Sequence, residues 1–246
     1  MKLPSPKIRP ESSALGMKMP TSPLLTELIA GVMDIRRESG LRPARLVMEY
    51  GCGLLRNLRE LRRHFPQVCL VDTELQLTRF HDFGGKRMTV PEYVRRHYRH
   101  RSVITLTDRQ FEASRLVPDV VFSVNVMDVI PPETRRAMLA NVCEHLSTRG
   151  QFALLVPRND SRTMNLCKGA RTYRDGHLFS NHGAFTYYRN WLSDELQRFC
   201  RLHGFDVVHD LSRYRYCCFA CQLKKRRKRK SSGKRPTGAV STKYHA

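Results

Sequence analysis

From Arg45 onward, apolar runs of strand length alternate with helical patterns, and few folds accommodate such an order. The runs are Leu46–Glu49, Val68–Asp72, Val103–Leu106, Val120–Val124 and Phe152–Val156. Helical periodicity separates them over 57–65, 74–83 and 132–147, and returns over 190–203 after a longer irregular stretch. Strands this continuously apolar must be covered on both faces, and right-handed crossovers then give a doubly wound, mostly parallel α/β sandwich. Two last runs, Asp206–Leu211 and Arg215–Leu223, lie only a few residues apart, which predicts an antiparallel hairpin at the C-terminal end of the sheet. A further helix is expected before the first strand, with Pro23 at its first position after Thr21 or Ser22 and apolar residues recurring from Leu24 to Ile35.

The domain expected from this pattern spans 21–223. Residues 1–20, rich in Pro, Ser, Lys and Arg without apolar periodicity, read as a flexible arm. Residues 224–246 read as a disordered basic tail. Charge supports that division. The chain holds 44 Lys and Arg against 22 Asp and Glu. Ten of the 44 and no acid fall in the last 23 residues, so the preceding part remains basic, with 34 against 22. The run Lys224, Lys225, Arg226, Arg227, Lys228, Arg229, Lys230 stays extended by self-repulsion and attracts phosphate backbones without reading sequence, so DNA or RNA is an expected partner. A solvated tail, a targeting run or contact with an anionic membrane surface are the alternatives.

No stretch approaches the ~18 consecutive apolar residues of a spanning helix, and MKLPSPKIRPESSALG carries no apolar signal core. The expectation is a cytoplasmic protein without integral membrane association. Eight cysteines lie scattered through apolar segments and read as reduced thiols. Cys218 and Cys221 have the gap of a zinc half-site but no second pair, so no metal is expected.

Ligands of open α/β sheets sit at the carboxyl ends of the strands, where glycines let a nucleotide approach the backbone beside a helix N-terminus. The first strand runs into Glu49-Tyr50-Gly51-Cys52-Gly53, and the second ends in Asp72, twenty-one residues after Gly51, where a carboxylate can accept from ribose hydroxyls. A dinucleotide fingerprint needs a third glycine where this chain has Arg56, which disfavours nicotinamide and flavin.

The order Glu49, Gly51, Gly53 and Asp72, with a closing antiparallel hairpin, resembles the class I S-adenosylmethionine-dependent methyltransferases, with their Rossmann-like sandwich. The likeness covers about 40 to 223, and Leu55 stands where that family often has a third small residue. It implies S-adenosyl-L-methionine as cofactor, with Gly51, Cys52 and Gly53 beside its methionine part. Glu49 would then orient that loop or the ammonium, Asp72 would hold the ribose and Asp108 the adenine edge, and Asn125 would stand near the transferred methyl. VNVMDVIPPETRRAML and GHLFSNHGAFTYYRNWLSDEL further resemble putative methyltransferases associated with DNA phosphorothioation. Asn125-Val126-Met127-Asp128 lacks the Asn/Asp-Pro-Pro-aromatic run of enzymes that methylate exocyclic base amines.

The long connection Arg158–Tyr188 is expected to be a substrate-side lid, since connections of this length in compact domains tend to be functional or disordered. Arg171, Arg174, His177, His182, Phe185, Tyr187 and Tyr188 supply it with cations and stacking rings. Asn125, His182 and Tyr187 are the catalytic candidates, His182 because its imidazole titrates near neutrality. The implied function is methyl transfer to an unidentified acceptor, with nucleic acid among the candidates. The alternative is a non-catalytic nucleic-acid-binding protein with the same fold, in a defence or mobile-element system.

Overall fold

The computed structural model describes residues 8–9, 23–98, 102–158, 167–181, 184–212 and 216–224. Seven strands form the central sheet: β2 (Leu46–Tyr50), β3 (Gln67–Asp72), β6 (Val103–Thr107), β7 (Val120–Val124), β8 (Gln151–Pro157), β12 (Phe205–Asp210) and β13 (Tyr216–Leu223). Their order across the sheet is β12-β13-β8-β7-β2-β3-β6. The pairings β2–β3, β2–β7, β3–β6 and β7–β8 are parallel, whereas β13 runs antiparallel to both β8 and β12. The doubly wound sandwich and its closing hairpin are therefore present, with the last strand inserted inside the sheet between β8 and β12.

Two apolar layers hold the helices. One face of the sheet packs against α1 (Pro23–Glu38), α2 (Leu58–His64) and α4 (Val90–His97), through residues such as Leu28, Leu61 and Val94. The other receives α5 (Asp108–Glu112), α6 (Pro132–His145) and α7 (Ser193–Leu202), through Phe111, Leu139 and Leu196. Successive strand residues alternate between the layers as the period of two requires: Val47 faces the first and Met48 the second. The same alternation separates Cys218 from Cys221, which lie in opposite layers rather than converging as a metal half-site would require.

Four sequence expectations are revised. The helix expected over 74–83 stops early: α3 covers Glu74–Thr78, and a short hairpin of β4 (His81–Asp82) and β5 (Arg87–Met88) follows, because Gly84 and Gly85 both take positive φ in its turn. Helix α4 was not anticipated, although Thr89 and Glu92 form a complete capping box and Pro91 sits in its first turn. Helix α5 is also additional, and starts from a box of Thr107 and Gln110.

The fourth revision concerns the expected lid. Instead of an irregular loop, its second half is a meander of β9 (Arg171–Tyr173), β10 (Gly176–Asn181) and β11 (Ala184–Tyr188), with a two-residue turn between β9 and β10. Arg174 takes φ 53° in the first turn, and a Cβ at Gly176 would come within 2.5 Å of the Tyr187 hydroxyl. β1 (Ile8–Arg9), from the expected arm, pairs in parallel with β11. The rest of that arm, residues 159–166, His182 and the basic run after Lys224 lie outside the described residues.

Candidate functional site

Strand β2 sits between β3 and β7, so the chain departs in one direction after β2 and returns on its other side at β7. At such a switch point the loops after neighbouring strands part and leave a crevice at their carboxyl ends. The loop after β2 is fastened to one wall of it. Val71 O of β3 accepts from Gly51 N at 2.7 Å and Cys52 N at 3.2 Å. Gly51 and Gly53 have φ of +82° and +48°, a region glycine enters without the penalty of a Cβ. Leu55, at the third position of the loop, has φ 60° and is buried, so its apolar contact holds a backbone conformation that a leucine seldom adopts.

Both oxygens of Asp72 are engaged by the backbone: Oδ2 accepts from Gly53 N at 2.8 Å and Oδ1 from Thr73 N at 2.8 Å. Burial nevertheless raises its pKa, and Asp108 nearby adds to the rise. Each oxygen keeps a second lone pair for a ligand hydroxyl. Glu49 lies deeper, 1% exposed. Its Oε1 accepts from Asn57 Nδ2 at 2.6 Å, while Oε2 is buried without a partner. Burial drives its pKa from 4.5 to about 8, with a smaller push from the Asp72 charge, against the Asn57 hydrogen bond. Asn57 is the N-cap of α2 yet makes no side-chain cap, since its amide is committed to Glu49.

Two residues carry the crevice onward. Tyr50 stands where the charges of Asp108 and Asp72 both act on it, and burial first and Asp108 second raise its phenol to about 12. Asp108 opens α5 and accepts from Arg109 N. Sequence reasoning did not single out Tyr50, although it lies inside the motif. On the β7 side Asn125 takes φ 57°, a region Asn tolerates better than most residues. Its N–H is held by Leu155 O at 2.8 Å and its Oδ1 is buried without a partner. Val126 closes the circle: a Cβ at Gly51 would lie 2.3 Å from its Cγ2. Glu49, Gly51–Gly53, Asp72, Asp108 and Asn125 are thus brought to one edge of the sheet.

The contact with Val126 yields a contrast between the two glycines. Gly51→Ala meets both the clash and the unfavourable φ, so urea unfolding should show a loss of about 2 kcal/mol. Gly53→Ala, whose Cβ meets nothing within 4 Å, should cost the fold about half as much.

Against Met127 and Asp128, in the loop after β7, lies a polar cluster that sequence reasoning missed apart from Tyr187. Arg135, fully buried in the first turn of α6, donates from Nη2 to Asp175 Oδ1 and Oδ2 at 2.6 and 2.7 Å and to Tyr187 Oη at 3.1 Å. Tyr187 and Arg189 also bond Asp175. The guanidinium of Arg135 lies over Trp191, 4.9 Å from the ring centroid, and that of Arg189 lies 4.0 Å from it. Trp191 Nε1 donates to Met127 O, and Arg189 N to Asp128 O at 2.7 Å, fixing the cluster to the loop after β7. Burial and the hydrogen bond to Asp175 push the Tyr187 phenol far up. Tyr187, one of the catalytic candidates from sequence, thus stands in this wall with its hydroxyl bonded to Asp175. Asp128 is buried, and burial raises its carboxyl from 3.8 to about 7, against the charge of Arg135.

Comparison with known proteins places these features in a family. A family model described as a methyltransferase domain matches residues 26–210. The chain is 25% identical over 170 residues to the Escherichia coli K12 protein YmfD, described as uncharacterized, covering 68% of this chain and 74% of that one. Among solved structures, the Burkholderia thailandensis 1,6-didemethyltoxoflavin-N1-methyltransferase, crystallised with S-adenosylhomocysteine, aligns with a TM-score of 0.53 and 17% identity, over 82% of this chain and 81% of that one. Magnesium protoporphyrin IX methyltransferase from Synechocystis PCC 6803 aligns with a TM-score of 0.52 and 15% identity, over 81% and 84%. At these identities the structural likeness is one of fold.

Proposed function

Because the chain belongs to the class I S-adenosylmethionine-dependent methyltransferases, we propose that its crevice binds S-adenosylmethionine and that the protein transfers the methyl group to a nucleophile held beside Asn125. The observation that carries this reading is Glu49 Oε2, a buried carboxyl oxygen without a partner beneath a glycine loop whose Gly53 has open space where a side chain would stand. A cationic amine satisfies such an oxygen, and the ribose hydroxyls suit the remaining lone pairs of Asp72. The residues present therefore fit the group. When bound it supplies an activated methyl on a sulfonium, so the protein has to align and desolvate rather than activate.

Each residue then has a defined task. Gly51 and Gly53 keep the loop low enough for the ligand to lie along it. Asp72 holds the loop through Gly53 N and orients the ribose. Asp108 and Tyr50 border the adenine end, and Asn125 and Val126 border the methyl end. The test is cofactor affinity by titration calorimetry with S-adenosylmethionine and S-adenosylhomocysteine. Asp72→Ala should weaken it by about 1–3 kcal/mol, roughly five- to 150-fold in Kd, with NAD as the non-binding control. Unchanged affinity in a folded variant removes Asp72 from the site.

A second reading rests on charge: a body that stays basic without its last 23 residues, and the run Lys224–Lys230, support association with DNA or RNA, with or without turnover. Affinity for a duplex should fall steeply with salt and drop on deleting 225–246. Binding indifferent to both would remove nucleic acid from the account. Among the described residues no helix is long and apolar enough to cross a membrane.

A further inference from the structure

Asp128 and Arg135 form an incomplete pair. The carboxyl of Asp128 is buried in the loop after β7, and its Oδ1 has no hydrogen-bond partner. The guanidinium of Arg135 is fully buried, and only Nη2 is used: Nε and Nη1 have no partner either. The charge of Arg135 acts on Asp128, yet the two groups do not hydrogen-bond each other. Buried donors and acceptors are almost always satisfied, and leaving each unmade costs about 1–3 kcal/mol. Trp191 joins the two, since it lies under the Arg135 guanidinium and donates to Met127 O, next to Asp128, and a buried acceptor and two buried donors left open around it call for a third group that serves both. Asn125 Oδ1, three residues before Asp128 in the same loop, is buried and unpartnered as well.

We propose that Asp128 and Arg135 are the acceptor subsite and that it takes a neutral hydroxyl group, an alcohol or a phenol. The inference deepens the methyltransferase reading and rests on it for the methyl donor. Charge selects the ligand. An ammonium would face Arg135, and a carboxylate or phosphate would face Asp128 in its ionised form, each with like-charge repulsion in a dry site. A hydroxyl accepts from Arg135 and donates to Asp128 with the same oxygen. In the reaction a lone pair of that oxygen forms the bond to the methyl carbon as the carbon–sulfur bond breaks, and the sulfur leaves as a neutral thioether with that electron pair. The O–H proton passes to the Asp128 carboxylate while its electron pair stays on oxygen, giving a methyl ether. Arg135 faces the oxygen as its proton leaves.

The cluster contains its own reporter, because Trp191 is the single tryptophan of the chain, stacks on Arg135 and donates to Met127 O, next to Asp128. Trp191 fluorescence of the full chain is titrated with phenol, benzoate and benzylammonium, with and without saturating S-adenosylhomocysteine, whose own binding is followed by calorimetry. Phenol should bind about tenfold more tightly than the two ions, and Asp128→Ala and Arg135→Met should each lower its affinity about tenfold or more. Equal response to all three probes, or phenol binding unchanged in folded Asp128→Ala, would overturn the proposal and leave water between the two groups. Should the variants not fold, selectivity among the probes in the unaltered protein decides alone.

If S-adenosylhomocysteine binds and no hydroxyl probe does, the subsite fails and the cofactor reading stands. If phenol binds selectively and S-adenosylhomocysteine does not bind, the subsite stands and the cofactor reading fails. A short RNA and its 2′-deoxy counterpart distinguish the source of the hydroxyl. A Trp191 response to the RNA alone assigns a ribose 2′-hydroxyl, and a response to phenol without RNA assigns a small molecule.

Discussion

Asp175→Ala should lower the stability of the fold by about 3 kcal/mol, measured by urea unfolding with an unchanged slope. The side chain of Asp175 is only 33% exposed, whereas Arg135 is fully buried, and it is the carboxylate of Asp175 that accompanies this charge. Two guanidiniums and the Tyr187 hydroxyl converge on it. Without it the rings of Trp191, Tyr187 and Phe199 still face Arg135, but a cation–π contact returns ~1–2 kcal/mol and leaves the buried donors open. Asp175→Asn should fall between, since it keeps an acceptor and loses the charge. A loss below about 1 kcal/mol for the alanine variant would place the cluster with ordinary exposed ion pairs. Burial by itself would raise the carboxyl of Asp175, but the Tyr187 hydrogen bond and the charges of Arg135 and Arg189 prevail and lower it. Its contribution is therefore present above the ordinary carboxylate range and lost as acid protonates the folded form.

Glu49 behaves in the opposite sense. Its carboxyl holds a proton in the fold up to about pH 8, against 4.5 in the free chain. Below the lower value both states are protonated and the fold bears no penalty. Between the two values only the folded state keeps the proton, so stability declines with rising pH by about 1.4 kcal/mol per unit, to a loss of at most roughly 5 kcal/mol above pH 8. Asp128, raised to about 7, adds a slope of the same sign, so the comparison has to be made against a variant. Glu49→Gln keeps an acceptor for Asn57 and removes the charge. It should gain several kcal/mol on the unaltered protein between pH 5 and pH 9 in urea unfolding. A constant difference across that range would mean that Glu49 does not titrate there. In the proposed binding mode the cofactor ammonium favours the carboxylate. Binding at pH 7 should then release close to one proton, read by calorimetry in buffers of different ionisation enthalpy, and Glu49→Gln should release none.

The central sheet was legible because each parallel strand has to be apolar on both faces, and five runs met that demand with boundaries within one or two residues. Glu49, Gly51, Gly53 and Asp72 were legible for a related reason: they sit at strand ends, and the ends follow from the strands. Segments whose structure rests on two-residue turns were not read. Asp175-Gly176 and Gly84-Gly85 are turn signals, but the flanking residues alternate too weakly to announce strands of two to six residues. The Arg135 cluster was out of reach for a different cause. Arg135 and Asp175 are 40 residues apart, and their meeting depends on how the meander lies against α6. In the sequence, Arg135 is one more basic residue in a basic chain. Asn57, likewise, reads as a helix cap and serves instead as the partner of Glu49.

The place of β13 has a consequence for how this chain is made. The final strand of the described fold is an interior strand, paired with β8 over residues 216–222 and with β12 over 219–223. Until those residues leave the ribosome, β8 is a bare edge, and the Phe152-Ala153-Leu154-Leu155-Val156 stretch it offers has the composition of a segment that recruits foreign strands. The nascent domain thus carries this hazard from the emergence of β8 until that of β13, and a stop codon between Pro157 and Tyr216 converts the passing hazard into a permanent one.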